Sequence, residues 1–302
     1  MNQHFDVIIV GGGPAGLTAA LYARRAGHTA LVLEKEGFGG QIASAPRVEN
    51  FPGTPALCGA ELSDRLYSQA EGQGACLELE TVLEVRDGPV KTVVTDYNVY
   101  TCAALILATG MKRGKLGLPG EDTLSGISYC AVCDGAFYRD RDVAVCGGGN
   151  TALQDTLFLS RLCRSVTLIH RRSAFRGDAV LAEQVSALPN VRLALNAQIT
   201  GLLGDGALTG LRLRFSDGSE AEPALSGLFV AVGQRPEISL TSTLLPLDSA
   251  GFLPAGEDCR TQLPGVFAAG DCRAKSVRQL TTACADGAVA ALAACRYCER
   301  VL

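Results

Sequence analysis

The chain has 302 residues, enough for two domains with full hydrophobic cores, and its 47% hydrophobic and 19% charged content excludes a disordered chain. A formal charge of -4 with no run of Lys or Arg leaves no electrostatic footprint for nucleic acid or anionic lipid, so neither is an expected partner. No stretch of about 18 apolar residues runs uninterrupted, so no membrane-spanning helix is expected either.

In chain order, residues 1–6 show no basic segment leading into an apolar one with a cleavage site, which makes a cytoplasmic location the expectation. The 12 Cys are then expected to be mainly reduced, buried thiols. The apolar run Val7–Val10 reads as a strand, followed by a Gly-rich turn, a stretch with helical period, and a second apolar run ending at Glu34. Residues 6–34 align without gaps on residues 142–170, each residue standing 136 positions before its counterpart. Each copy is therefore a strand–helix–strand unit that requires a parallel crossover, and the chain reads as α/β with two Rossmann-like dinucleotide-binding domains.

The turn of the first copy, Gly11, Gly13, Pro14, Ala15 and Gly16, fits G-x-G-x-x-G. The first glycine allows the tight turn, the second lets a pyrophosphate approach, and the third packs helix on strand. In the second copy Gly147 and Gly149 repeat the pattern, with Ala152 in the third place. The two copies differ where the adenosine ribose would sit. Glu34 would accept hydrogen bonds from an unphosphorylated ribose, as in FAD or NAD. His170, Arg171 and Arg172, with Arg176 a turn later, would receive a 2′-phosphate, as in NADPH.

Between the copies, Leu105–Ala108 with Thr109 and Gly110 is an apolar strand ending in small residues, and Cys130-Ala131-Val132-Cys133-Asp134 is a C-x-x-C with a flanking acid. In a chain rich in βαβ units this spacing reads as a dithiol/disulfide centre, with Asp134 able to carry protons. No further Cys or His ligand stands near it, so no metal is expected. Beyond the second copy, Thr261–Gly270 delivers Asp271 just ahead of a long helical pattern. That pattern holds a second C-x-x-C, Cys295 and Cys298, whose helical setting predicts structural thiols. The Gly- and Pro-containing segments Arg113–Gly117 and Pro236–Ser242 read as connections. The expected domains are thus a discontinuous FAD-binding domain, 1–112 and 241–302, and an NADPH-binding domain, 113–240, inserted into it and carrying the C-x-x-C.

GGGPAG at 11–16, GGQ at 39–41, VENFPG at 48–53, ATG at 108–110, CAVCDG at 130–135, GGGNTA at 147–152, HRRSAFR at 170–176, GLFVAVG at 227–233, GVFAAGD at 265–271 and RQLTTA at 278–283 follow one another. In content and order they resemble the low-molecular-weight, bacterial-type thioredoxin reductases over essentially the whole length. The resemblance implies FAD on Gly40, Thr109, Gly110, Gly270 and Asp271 besides the first glycine turn, Gln41, Asn50, Arg278 and Gln279 lining the flavin or nicotinamide side, and NADPH on Asn150 and Thr151 besides the second glycine turn. It implies that Cys133 faces the flavin, that Cys130 attacks the substrate disulfide, that Asp134 is the acid/base, and that rotation of the NADPH domain alternates nicotinamide and disulfide at the flavin. It further implies a homodimer and thioredoxin as substrate. Another thioredoxin- or glutaredoxin-like carrier, or a flavin-linked redox sensor, stands as the alternative.

Overall fold

The computed structural model describes residues 3–45, 47–236 and 244–301. The chain falls into two compact units, Met1–Lys112 with Pro236–Leu302, and Arg113–Arg235. The expected return to the first domain at residue 241 lies outside the described residues.

In the first unit the apolar run becomes the strand Gln3–Val10, whose last four residues are buried. It pairs in parallel with Ala30–Glu34, Val7 opposite Ala30 and Val10 opposite Leu33. The helix Pro14–Arg25 lies between them in the chain, with Pro14 in its first turn, where a missing N–H costs nothing. The sheet continues as Cys76–Leu79, Ala30–Glu34, Gln3–Val10 and Val99–Leu107, all parallel, and closes with Lys91–Thr95 and Val82–Arg86, both antiparallel. The far edge of Val99–Leu107 is shared: Val99–Cys102 pairs with Lys91–Val94, and Leu105–Leu107 pairs in parallel with Val266–Ala268. That sharing carries residues from the far end of the chain to the mouth of the first glycine turn.

The C-terminal helix Leu280–Val301 packs across Pro14–Arg25. A Cβ on Gly287 would stand 2.2 Å from the Ala15 carbonyl oxygen, so only glycine allows this approach. Cys295 and Cys298 lie in this helix as free, buried thiols, and Cys298 Sγ reaches the Asp6 carbonyl at 3.4 Å.

The second unit repeats the plan. Its strands run in the order Val191–Leu195, Ser165–His170, Asp142–Gly147, Gly227–Ala231 and Ile127–Ser128, all parallel. Nearly continuous burial along Val143–Val145 and Leu228–Val230 is what a parallel sheet covered on both faces demands. The helix Asn150–Ser160 makes the crossover, and an antiparallel sheet, Ala197–Asp205, Ala207–Phe215 and Glu220–Ala221, follows. On the sheet of the first unit Val82–Arg86, which follows Cys76–Leu79 in the chain, lies on the other side of Gln3–Val10, and on that of the second Gly227–Ala231, which follows Val191–Leu195, lies on the other side of Asp142–Gly147; ligands of such sheets bind beyond the strand ends at that reversal. No helix among the described residues is long and apolar enough to cross a membrane.

Candidate redox and nucleotide-binding site

The first cradle is built by steric exclusion. A Cβ on Gly16 would lie 1.8 Å from Gly11 O, and one on Gly11, whose φ is 110°, would lie 2.3 Å from Ala108 O. Those two glycines close the turn. Gly13 is different, because a Cβ there would meet nothing nearer than Gly40 Cα at 4.0 Å. The space over Gly13 has room for the pyrophosphate that the motif requires. Glu34 is held by backbone donors: Gly12 N to Oε2 at 2.7 Å, and Lys35 N and Glu36 N to Oε1 at 2.8 and 3.0 Å. Its other lone pairs can receive ribose hydroxyls.

Gln41 sits in the 3₁₀ turn Gly40–Ser44 and donates through Nε2 to the Met111 carbonyl. Asn50 and Gln279, 229 residues apart, meet through a 3.3 Å hydrogen bond from Asn50 Nδ2 to Gln279 Oε1. Thr109 and Gly110 follow the central strand Val99–Leu107 after Ala108, with Gly110 at φ 66°. Arg278 lies 3.9 Å over the Phe252 ring and donates from Nε to the Asp271 carbonyl at 3.3 Å.

Asp271 carries the clearest mark of a ligand-binding position. Its Oδ1 is buried with no hydrogen-bond partner and pairs with Lys275 Nζ at 3.5 Å. Burial pushes the carboxyl above the ordinary aspartate range, against the pull of Lys275 and Arg278. A hydroxyl-bearing ligand such as a ribityl chain would satisfy it. Beneath it lies a buried ion cluster unmarked by any motif. Asp286 accepts from Arg273 Nη2 at 2.9 Å, Lys275 Nζ at 3.0 Å and Gly270 N at 3.1 Å. It thereby fixes Gly270, whose φ is 77°. The sequence signal was an acid on an apolar helix face, since such a charge must be paired.

In the second unit Gly147 is closed by Ala231 O, 2.4 Å from an added Cβ, whereas Gly149 has no atom within 4 Å of one. The arginine segment is tied to this turn. Arg176 N and Gly177 N both donate to Gly148 O, at 2.7 and 3.1 Å, and Asn150 Oδ1 accepts from Asp178 N at 2.7 Å. Arg171, Arg172 and Arg176 are exposed, as is Thr151.

His170 behaves unlike its neighbours. It is buried, stacks 5.5 Å from Phe175, and packs so closely that a Cβ on Gly148 would fall 2.1 Å from its ring. Its Nε2 lies 3.1 Å from the Ala174 carbonyl, which can only accept, so Nε2 carries the proton. Burial lowers its pKa, the Ala174 carbonyl opposes this, and the nearby Arg172, Arg176 and Arg171 lower it further. His170 thus shapes the turn as a neutral ring, leaving the positive charge to the three arginines.

The redox pair stands in the same unit. Cys130 and Cys133 form a disulfide with their Cα atoms 5.3 Å apart. Cys130 caps the short helix Ala131–Asp134, its Sγ accepting from Cys133 N at 3.2 Å, and Val132 between them is exposed. Asp134 is half-buried. Burial raises its pKa, while the Ser128 hydrogen bond and the Arg113 charge pull it down. Glu121, also unmarked by any motif, is buried and accepts from Leu116 N at 2.9 Å, Gly117 N at 2.8 Å and Tyr129 Oη at 2.8 Å. The segment Arg113–Gly117, whose composition suits a hinge, is fastened there beside the redox loop.

Two glycine cradles, one followed by a fixed carboxylate and the other by arginines, together with a vicinal disulfide, define a nucleotide-linked dithiol oxidoreductase. The chain belongs to the pyridine nucleotide-disulphide oxidoreductase family, which matches residues 5–287. It is 42% identical to a thioredoxin reductase of Listeria monocytogenes over 98% of this chain and 95% of that protein. It is 43% identical to one from Mycolicibacterium smegmatis over 97% and 96%. The crystal structure of thioredoxin reductase from Streptococcus pyogenes superposes with a TM-score of 0.95 at 35% identity, covering 99% of this chain and 100% of that one. The chain is accordingly a flavoprotein disulfide oxidoreductase that uses a flavin and a nicotinamide nucleotide.

Proposed function

We propose that this protein is an NADPH-dependent thioredoxin-disulfide reductase, with FAD in the first unit and NADPH in the second. The observation that carries the proposal is the Cys130–Cys133 disulfide in the unit that also bears the arginine-flanked cradle. Full-length similarity to proteins named thioredoxin reductase supports it. A protein of Mycobacterium leprae described as a bifunctional thioredoxin reductase/thioredoxin, 42% identical over 97% of this chain, supports it too.

When bound, the nicotinamide and the flavin supply the electron pair that opens the disulfide. The balance is NADPH + H⁺ + disulfide giving NADP⁺ and two thiols, so each turnover takes up one proton. Asp134, whose carboxyl burial pushes above the ordinary aspartate range, gives and retakes protons at the pair. Cys130 attacks the substrate disulfide, and the resulting mixed disulfide is resolved by Cys133. In the first unit Gly11, Gly13, Pro14, Ala15 and Gly16 receive the FAD pyrophosphate, Glu34 the ribose and Asp271 the ribityl chain. Gly40, Gln41, Asn50, Thr109, Gly110, Gly270, Arg278 and Gln279 line the remainder. In the second, Gly147, Gly149, Asn150 and Thr151 receive the NADPH pyrophosphate, Arg171, Arg172 and Arg176 hold the 2′-phosphate, and His170 supports the turn. A homodimer completes the reading, on the resemblance alone.

The test is NADPH oxidation by the flavin-loaded protein with thioredoxin disulfide. Sustained turnover is expected, and Cys130→Ser should abolish it while NADPH still bleaches the flavin. Oxidation that stops after one equivalent would instead mark a redox sensor and overturn the proposal.

A further inference from the structure

Ser128 ends the two-residue strand Ile127–Ser128, which pairs in parallel with Leu228 and Phe229 at the edge of the second sheet. It is 4% exposed. Its hydroxyl stands between the catalytic acid and the first cysteine. It donates to Asp134 Oδ2 at 2.7 Å, accepts from Cys130 N at 3.1 Å, and lies 3.3 Å from the Cys130 carbonyl. A hydroxyl has one hydrogen, and the short contact to a carboxylate outcompetes the long one to a carbonyl. The Oγ lone pairs then serve the Cys130 N–H.

We propose that Ser128 is the positioning residue of the redox centre: one hydroxyl locks the Asp134 carboxylate and the Cys130 backbone into a single geometry, presenting the acid to the dithiol. The proposal rests on the assignment of Asp134 as the acid/base. The two residues are six apart in the chain, yet strand pairing fixes one and the disulfide-capped helix fixes the other. Without the hydroxyl, Asp134 would lose its side-chain hydrogen bond and Cys130 N would lose its acceptor, so acid and nucleophile would be free to move apart.

The groups facing Asp134 are few: the Ser128 hydroxyl from the edge strand, the Arg113 guanidinium from the connecting segment, and the Tyr138 phenol from the 3₁₀ turn Gly135–Tyr138. Donation by Ser128 favours the ionised carboxylate. Its removal leaves burial opposed by Arg113 alone, so Asp134 must hold its proton to higher pH.

The experiment is the pH–rate profile of thioredoxin-disulfide reduction by the flavin-loaded enzyme for wild type, Ser128→Ala, Ser128→Thr and Asp134→Asn. Flavin bleaching by NADPH is followed in parallel. Ser128→Ala should lower kcat about 10-fold, leave KM for thioredoxin unchanged, and move the Asp134 limb to higher pH. Ser128→Thr, which keeps the hydroxyl, should hold the limb in place, and Asp134→Asn should remove it. NADPH should still bleach the flavin in Ser128→Ala and Ser128→Thr. A wild-type limb in Ser128→Ala, with the limb absent in Asp134→Asn, would overturn the role of Ser128 and leave the acid assignment standing. A Thr variant that folds and bleaches normally but shifts as far as the Ala variant would overturn it as well. Persistence of the limb in Asp134→Asn would overturn the acid assignment and this proposal with it.

Discussion

Gly13 and Gly16 lie three residues apart and differ in what an added methyl group would meet. At Gly16 the Cβ would sit 1.8 Å from a backbone oxygen of the same turn, and no rotamer change can relieve that. Gly16→Ala should cost at least the ~3 kcal/mol at the upper end of overpacking, read as a fall in the unfolding midpoint of the apoprotein. At Gly13 the nearest atom is 4.0 Å away, and at Gly149 there is none within 4 Å. Both have extended backbone that alanine can adopt, φ -77° and -99°. Gly13→Ala should therefore leave the apoprotein stable and weaken flavin retention, and Gly149→Ala should do the same for NADPH. Equal unfolding midpoints for Gly13→Ala and Gly16→Ala would refute this division. The glycine spacing was readable in the sequence because these roles are local. His170 was not, because its neutrality depends on Phe175 and on Gly148 beneath the ring, a tertiary arrangement that spacing does not encode.

At the scale of elements, the C-terminal helix does more than cover the sheet. Asp286, on its buried face, gathers Arg273, Lys275 and the N–H of Gly270, and so shapes the turn that presents Asp271. Replacing it by Ala would leave Arg273, 12% exposed, without a carboxylate and Lys275, 8% exposed, with Asp271 alone, a loss of about 3–5 kcal/mol. Asp286→Ala should lower the denaturation midpoint and release flavin, while leaving NADPH binding to the second unit intact. Undiminished flavin retention would show that the cluster does not shape the turn. The start of this helix after Asp271, and the structural setting of Cys295 and Cys298, were readable from apolar period and spacing. The cluster was not, since Asp286 looks in sequence like an interruption of an Ala-rich run. Glu121 and Ser128 escaped for the same reason: their partners are backbone N–H groups and side chains of other segments.

At the scale of the whole molecule, one strand–helix–strand pattern occurs twice, and the two copies differ chiefly after the second strand. Glu34 is pinned by three backbone donors, and the arginine segment is pinned to Gly148 O. Arg171→Ala with Arg172→Ala should lower the preference for NADPH over NADH about 10-fold or more, seen as a rise in KM for NADPH with little change for NADH. An unchanged preference would remove the 2′-phosphate assignment. The repeat made the first two strands and the helix of each unit legible. The strands that follow the repeat, Cys76–Leu79 and Val191–Leu195, lie beyond the aligned residues, and the strand Val266–Ala268 arrives from so far along the chain that only the folded sheet reveals its place.

Anaerobic reduction of the flavin-loaded protein with NADPH, followed by alkylation and mapping of new thiols, tests the central claim most directly. Two new thiols per chain, at Cys130 and Cys133, with the other ten cysteines unchanged before and after, is the predicted result. Oxidation of NADPH with Cys130 and Cys133 still joined would contradict it.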